Sequence, residues 1–460
     1  MSATTLLFQR LNRYYWPIVV SEILVSIVPF INTLMMGHLG SEALAAGGLV
    51  DSCFAFIMVL FWGVFSTVST LIAHYRAEGK SDTVGRVMKS ALTLAILLSL
   101  PVMFLFAHLA YVLIWLGQAR MVVYLAQPYL ATLSYAILPD FLVMTLYHFF
   151  FGLGRPRLVM LTSALLAPIT IILNYLFMYG KLGLPFMGIS GVGMGTFIAY
   201  LVLGFALLLF ILQHAEFKEY LQVRHWLHWS EVRELLWVGV PVGLIWIAEI
   251  GFFTAVAFLM GMMSDIALAA YQIAYQAYLI IFVTFAYSMG QTIQMLLAEQ
   301  LGARDLQAIK RSYQLSLALL LGVLLFWSLL VCIYPEGIIY LNLGDTLVGG
   351  QGLYQLSIAL LRLMPIFLLL DSLGFATFSA LRAFKDTRFS LAIVISVYWL
   401  ILMPLLSFGV AYERILSPEA LWLCLCLGSL SSLILQGLRF RYRLKCIKTA
   451  SNVVTPAIPH

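Results

Sequence analysis

The sequence predicts an all-α polytopic membrane protein with twelve transmembrane helices in two pseudo-symmetric six-helix bundles. Three observations support this. Apolar residues make up 63% of the 460-residue chain and charged residues only 10%, with a mean hydropathy of +1.00; a water-soluble domain has too little polar surface to cover such a composition. Twelve apolar runs each reach the about 20 residues that cross a roughly 30 Å hydrocarbon layer. The chain also repeats itself, without a gap, at an offset of 224 residues: Pro17 falls on Pro241, Met36-Gly37 on Met260-Gly261, and Ala43-Leu44-Ala45-Ala46 on Ala267-Leu268-Ala269-Ala270. A weaker echo sets Leu138-Pro139 against Met364-Pro365. Paired repeats are a common construction of transporters, in which two bundles rock around a central site.

In the first half the runs fall at 14–36, 44–73, 90–115, 125–152, 159–180 and 190–213. In the second they fall at 236–260, 267–297, 313–335, 353–381, 389–412 and 418–438. Between them the longest loop carries Glu216, Lys218, Glu219, Arg224, Glu231 and Arg233 and reads as a polar linker. The expected organisation is an N-terminal bundle over 1–213, a cytoplasmic linker over 214–235, a C-terminal bundle over 236–440 and a basic cytoplasmic tail over 441–460.

An even number of spans puts both termini on one side, and the positive-inside rule says which. With the termini inside, the inner segments hold 22 of the 26 lysines and arginines. Outer loops keep only Arg120, Lys181 and Arg414, and Arg362 lies within a run. Both termini are expected to be cytoplasmic, in a multi-pass protein of the cell membrane, the inner membrane of a bacterium. The basic end Arg439-Phe440-Arg441-Tyr442-Arg443-Leu444-Lys445 then reads as a lipid-facing anchor, so the pI near 9.0 implies no nucleic-acid partner.

The five cysteines, Cys53, Cys332, Cys424, Cys426 and Cys446, form neither a metal spacing nor a disulfide framework. The first apolar run is too long for a cleavable signal peptide. Short loops leave no room for a soluble catalytic domain, so the chain is not expected to be an enzyme.

Function is expected where charge enters the spans, since each buried ionisable side chain costs at least about 2.5–3.5 kcal/mol on insertion scales. The candidates are Glu22, Asp51, Asp140, Glu249, Arg362 and Asp371. Helix rise puts Glu249 and Asp371 at similar depths, roughly 20 and 15 Å from the inner side, so the two carboxylates can share a cavity. Oxygen-rich sites of this kind suit hard cations, and a desolvated carboxylate pair also suits protons. Arg362, nine residues from Asp371 on one helix, points to nearly the opposite side and is a poor partner. Gln272 and Gln276 share a helix face and, with Tyr275, are candidate ligands or polar lining. Glu22 and Asp140, at roughly 12 and 18 Å, are expected to offer negative charge to a lipophilic cation.

Several elements resemble the multidrug and toxic compound extrusion (MATE) family, NorM-like branch. They are Met35-Met36-Gly37-His38-Leu39-Gly40 followed by Ala43-Leu44-Ala45-Ala46, then Ala269-Ala270-Tyr271-Gln272, the Arg382-Ala383-Phe384-Lys385-Asp386-Thr387-Arg388 loop, and the stretch from Asn174-Tyr175 to Gly193. The resemblance covers nearly the whole chain. It implies two six-helix bundles exporting cationic amphipathic compounds in exchange for Na+ or H+, with a cation site on Glu249 and Asp371. Two residues depart from the family pattern, with Asn32 standing where Asp is common and Phe367 where Tyr often precedes the tenth-helix Asp. Since Asn32 cannot exchange a proton, Na+ is the favoured coupling ion. The expected ion-coupling residues are Glu249, Asp371, Gln272 and Gln276, with Na+ held by the two acids. The expected substrate-binding residues are Glu22, Asp140, Asn32, Asn174 and Tyr275. Small organic cations are the expected substrates and the lipid bilayer the setting, with no cofactor and a monomeric chain. The alternative is a lipid or lipid-linked sugar flippase, which would need a basic cavity for phosphate; five intramembrane acids against one arginine disfavour it.

Overall fold

The computed structural model describes residues 3–222, 226–343, 350–411 and 417–454. Arg224, Arg414 and the last six residues of the tail lie outside the described residues. Among the described residues, twelve helices are long and apolar enough to cross a membrane. They are α1 (Thr5–Leu39), α2 (Ser41–Ala77), α3 (Ser81–Trp115), α4 (Arg120–Gly152), α5 (Pro156–Tyr179), α6 (Ser190–Gln213), α7 (Trp229–Met263), α8 (Asp265–Gly302), α9 (Leu306–Ile333), α10 (Gly350–Ala383), α11 (Thr387–Val410) and α12 (Pro418–Ile447). There is no strand among the described residues. Large apolar side chains such as Phe104, Leu165, Phe205 and Phe326 remain exposed along them, as lipid-facing surface requires.

The chain divides into two compact units. One comprises Trp16–Gly243; the other joins Met1–Tyr15 to Leu244–His460. Both divisions fall inside helices, in α1 and α7, rather than in the linker. The first turns of α1 are tied to the C-terminal unit by an Arg10–Glu299 ion pair and by the Tyr15 hydroxyl, which donates to the Phe285 carbonyl at 3.4 Å.

The first part of α7 is correspondingly built into the N-terminal unit. Gly239 and Gly243 stand four apart, so they share a face. A Cβ on Gly243 would lie 2.3 Å from the Leu60 carbonyl oxygen, and one on Gly63 would lie 2.3 Å from the Gly243 nitrogen. Only glycines permit this crossing of α2 and α7, the usual device where helix packing in lipid relies on close backbone approach. Arg86 pairs with Glu231 at 3.0 Å, and the Tyr75 hydroxyl donates to Glu234 at 2.7 Å.

The expected linker over 214–235 is therefore shorter than its polar composition suggests. After a four-residue helix, Ala215–Lys218, and a 3-10 turn, Glu219–Leu221, the chain re-enters helix at Trp229. Charged Glu231, Arg233 and Glu234 belong to the first turns of α7, where polar residues continue a helix beyond the hydrocarbon; Glu231 also suits the positive end of the helix dipole. Phe217 is buried edge-on to Phe150, and the Lys89 ammonium lies 4.8 Å from the Trp226 ring centroid.

Proline interrupts most of the long helices, including α1 at Pro17 and Pro29, α4 at Pro128 and Pro139, α7 at Pro241 and α10 at Pro365. Two helices carry π-helical segments, Phe282–Tyr287 in α8 and Ile395–Leu402 in α11. Pro404 follows the second closely, and its missing N–H leaves the carbonyl four residues earlier without its helical donor.

Candidate functional site

Within the C-terminal unit, Glu249 of α7 and Asp371 of α10 line one small cavity with room for one or two water-sized ligands. Its remaining polar lining is Tyr398, Ser429, Ser432 and Gln436, and its apolar walls include Ile245, Phe282, Phe375, Phe378 and Val394. No basic side chain lines it. The Tyr278 hydroxyl of α8 donates to Asp371 Oδ2 at 2.7 Å, and Ser429 of α12 donates to Oδ1 at 3.3 Å. Tyr398 of α11 lies 3.2 Å from the Ser429 oxygen. Since Ser429 has one proton and gives it to Asp371, Tyr398 donates to Ser429. Glu249, which lines the cavity, makes no hydrogen bond among the described residues. The two π-helical segments each bring a ring to this site, Phe282 and Tyr398, in keeping with the frequent use of such segments at functional positions.

The structure thus gathers the two acids, but the polar side chains beside them are not the glutamines of α8. Gln272 and Gln276 share a face of α8 as their spacing requires, yet both are exposed and neither lines the cavity. Spacing of four identifies a common face but not its direction. Tyr278 is two residues beyond Gln276, about 200° around the helix, and it is this opposite face that meets Asp371. Tyr275 stands between, stacked on Tyr271 (centroids 5.7 Å apart) and Tyr278 (5.9 Å). Phe367 is buried in the same aromatic group, 4.9 Å from Tyr278 and 5.9 Å from Phe253. Arg362 is exposed and makes no contact with Asp371. Among the described residues of this unit the buried cation is Arg382, one residue before the end of α10, whose guanidinium lies over the Trp246 and Phe378 rings at 5.6 and 5.5 Å.

In the N-terminal unit the predicted amides come together. Asn174 of α5 donates through Nδ2 to Asn32 Oδ1 of α1 at 3.0 Å, and both side chains are buried. Gly195 of α6 makes room: a Cβ there would stand 2.3 Å from Asn174 Oδ1. Nearby along α1 and α5, the Tyr179 hydroxyl donates to the Met35 carbonyl at 3.0 Å. Asp51, whose role the sequence left open, accepts a 2.8 Å hydrogen bond from Tyr129 of α4.

Glu22 and Asp140 do not form the pair that their similar depths allowed. No hydrogen bond or charge interaction joins them among the described residues. Similar depth on two helices says nothing of whether the side chains face each other. Asp140 instead neighbours Tyr200, which also interacts with Tyr147, and its Oδ2 is buried without a hydrogen-bond partner. Glu22 is part-buried on α1.

The sequence reading missed Tyr278, Tyr398 and Ser429 because hydroxyls are cheap to place in a helix and stand out in no pattern. The one available signal was that Tyr278 continues the run Tyr271-Tyr275 at helical spacing.

The MatE family model matches residues 17–176 and 241–408, two segments that begin on the repeat-equivalent prolines. The chain is 30% identical over 396 residues to the "Probable multidrug resistance protein NorM" of Pseudomonas syringae pv. tomato, covering 85% of each chain. It is 29% identical over 417 residues to the protein of the same name in Synechocystis sp., covering 90% of this chain and 89% of the relative. Among solved structures it matches a MATE transporter in the bent conformation with TM-score 0.86, at 18% identity and over 98% of this chain and 100% of the other. A MOP superfamily transporter from Pyrococcus furiosus gives TM-score 0.85 at 18% identity, over 97% and 99%. At such identities the structural matches speak for the fold, while the sequence matches establish kinship: the chain belongs to the MatE family, the multidrug and toxic compound extrusion transporters.

Proposed function

We propose that this chain is a cation-coupled antiporter that exports cationic amphipathic compounds, with Na+ as the favoured coupling ion at Glu249 and Asp371. The observation that supports it most is the cavity that both carboxylates line, where the neutral hydroxyls of Ser429 and Tyr398 join them and no basic group neutralises them. Oxygen donors in that number suit a hard monovalent cation. Substrate range follows the relatives named as multidrug resistance proteins. No chemical step is involved, and the substrate leaves unchanged. On this reading the chain works as a monomer in the inner membrane of a bacterium, with both termini on the cytoplasmic side.

The mechanism is competition between two states. Na+ arriving from outside binds between Glu249 and Asp371 and favours one state; the exported cation favours the other, because a ligand shifts an equilibrium only by its differential affinity. A potential of 100 mV supplies about 2.3 kcal/mol per charge moved inward, and a tenfold Na+ gradient adds about 1.4 kcal/mol. One Na+ exchanged for one singly charged cation moves no net charge, so the gradient alone sustains about one decade, and each further Na+ entering in the same cycle adds both terms. Protons are the less favoured ion because the Asn32–Asn174 pair offers nothing to titrate.

Efflux of a fluorescent cation from proteoliposomes, under a Na+ gradient or a H+ gradient imposed singly, tests the proposal. Na+-driven efflux is expected. Efflux driven by H+ alone overturns the choice of ion, and efflux driven by neither overturns the antiport.

A further inference from the structure

The cavity does not end at the acids. Below Asp371, α12 turns three polar side chains to it, Ser429, Ser432 and Gln436, at spacings of three and four that keep them on one face. Ser429 donates to Asp371, and Gln436 donates through Nε2 to Ser432 at 3.0 Å. Gln436 is only 4% exposed, and its Oε1 is buried without a hydrogen-bond partner among the described residues. Gln291 and Gln300 also bury an Oε1 without a hydrogen-bond partner among the described residues, but of these three only Gln436 lines the cavity, where a ligand can repay the lost hydration. Seven residues of helix rise about 10 Å, so this polar face leads from the carboxylate toward the end of α12 where Arg439 bonds Asp386 at 2.8 Å.

We propose that Gln436 Oε1, with Ser432 Oγ, forms a second and weaker cation subsite through which Na+ leaves the Glu249–Asp371 pair for the cytoplasm. The proposal rests on the reading of that pair as the ion site and on the orientation given above. A cation drawn off two carboxylates needs oxygen ligands along its path, because the facing walls, Ile245, Phe378 and Val394, offer none. Neutral ligands suit a relay: they replace part of the hydration shell and hold the ion loosely enough to let it go. An amide neither gives nor takes a proton near neutral pH, so the subsite serves an ion with its water rather than a proton relay.

Full-length protein in proteoliposomes tests this with isotopic Na+ and a fluorescent cation. Gln436→Met, close in shape but without the oxygen, is expected to keep equilibrium Na+ binding within about twofold while slowing Na+ release and Na+-driven efflux about tenfold. Gln436→Glu, which puts a charge at the subsite, is expected to tighten binding and slow release as well. Retained binding in Gln436→Met shows that the protein is folded and the main site intact. Unchanged release in that variant overturns the subsite. Loss of binding with an unchanged melting temperature also overturns it, because Gln436 would then belong to the holding site itself. Glu249→Gln separates the two claims: if it abolishes Na+-driven efflux while Gln436→Met does not slow it, only the subsite fails; if Glu249→Gln transports normally, the ion site fails and takes the subsite with it.

Discussion

In the C-terminal unit Glu249 and Asp371 share a cavity whose other polar lining is hydroxyl and amide, and among the described residues Glu249 has no hydrogen-bond donor of its own. In the N-terminal unit Asn32 and Asn174 are neutral and close on one another through a buried hydrogen bond. The halves descend from one repeat and keep its helices, its prolines and its Met-Gly elements, but not its polar interior. An open pair of carboxylates invites a cation, whereas a satisfied amide pair has neither charge to neutralise nor proton to exchange. On the proposal made here, ion coupling belongs to one half, while the other contributes scattered acids, Glu22, Asp51 and Asp140, in separate surroundings.

The contrast breaks most sharply if the acids are neutralised. Glu249→Gln and Asp371→Asn are each expected to lower Na+-stimulated efflux at least about 100-fold, since deleting a charged ligand forfeits on the order of 3 kcal/mol. Melting temperature in detergent is expected to hold, because a neutral side chain is easier to bury than a charged one. Full Na+-driven transport by both single variants would sink the site.

A smaller effect is expected from the acids of the other unit. Glu22→Gln and Asp140→Asn are expected to reduce export of a cationic substrate about tenfold and leave a neutral substrate unchanged. Equal loss of both substrates, or no loss, would mean that these acids only pack helices together.

Asn174→Ala strips Asn32 Oδ1 of its donor and is expected to cost about 1–3 kcal/mol of stability, read as a lower melting temperature with the Na+ dependence of efflux intact. Gly195→Ala drives a methyl group against the same amide and should act in the same direction. A changed Na+ dependence in either variant would show that the neutral half also takes part in ion coupling.

Least is expected of Phe367→Tyr. A hydroxyl there would stand one turn before Asp371 on the same helix face. In the structure the Phe367 ring sits among Phe253, Tyr278 and Trp422, and Tyr278 already donates to Asp371. The change in Na+ affinity is expected to stay within about threefold; isotopic Na+ binding weakened tenfold would contradict this.

The twelve spans could be read from apolar runs alone, because a lipid-crossing helix has to be apolar over most of its length. Their ends could not: α1 is already helical at Ala3 rather than starting near 14, and α3 starts at Ser81 rather than near 90, since polar turns continue a helix beyond the hydrocarbon without leaving a hydropathy signal. Glu249 and Asp371 could be found because charge in an apolar run is costly enough to need a reason. Tyr398 and the serines of α12 were invisible: a hydroxyl in a helix costs little, and a π-helical segment rotates whatever follows it out of register with counting by fours. The Asn32–Asn174 contact joins two residues 142 apart, and nothing local to either announces the other.

The division of α1 at Tyr15 also bears on how the chain is made. Residues up to Tyr15 belong with a unit whose remainder begins at Leu244, so all of Trp16–Gly243 must be synthesised before their partners exist. At about 5–20 residues per second this takes roughly 10–45 s. Although α1 precedes the other described helices, it is therefore among the last to be fully packed, and Arg10 must wait for 289 further residues before Glu299 is made. A chain cut within the linker would yield two fragments, each lacking a helix end that the other carries.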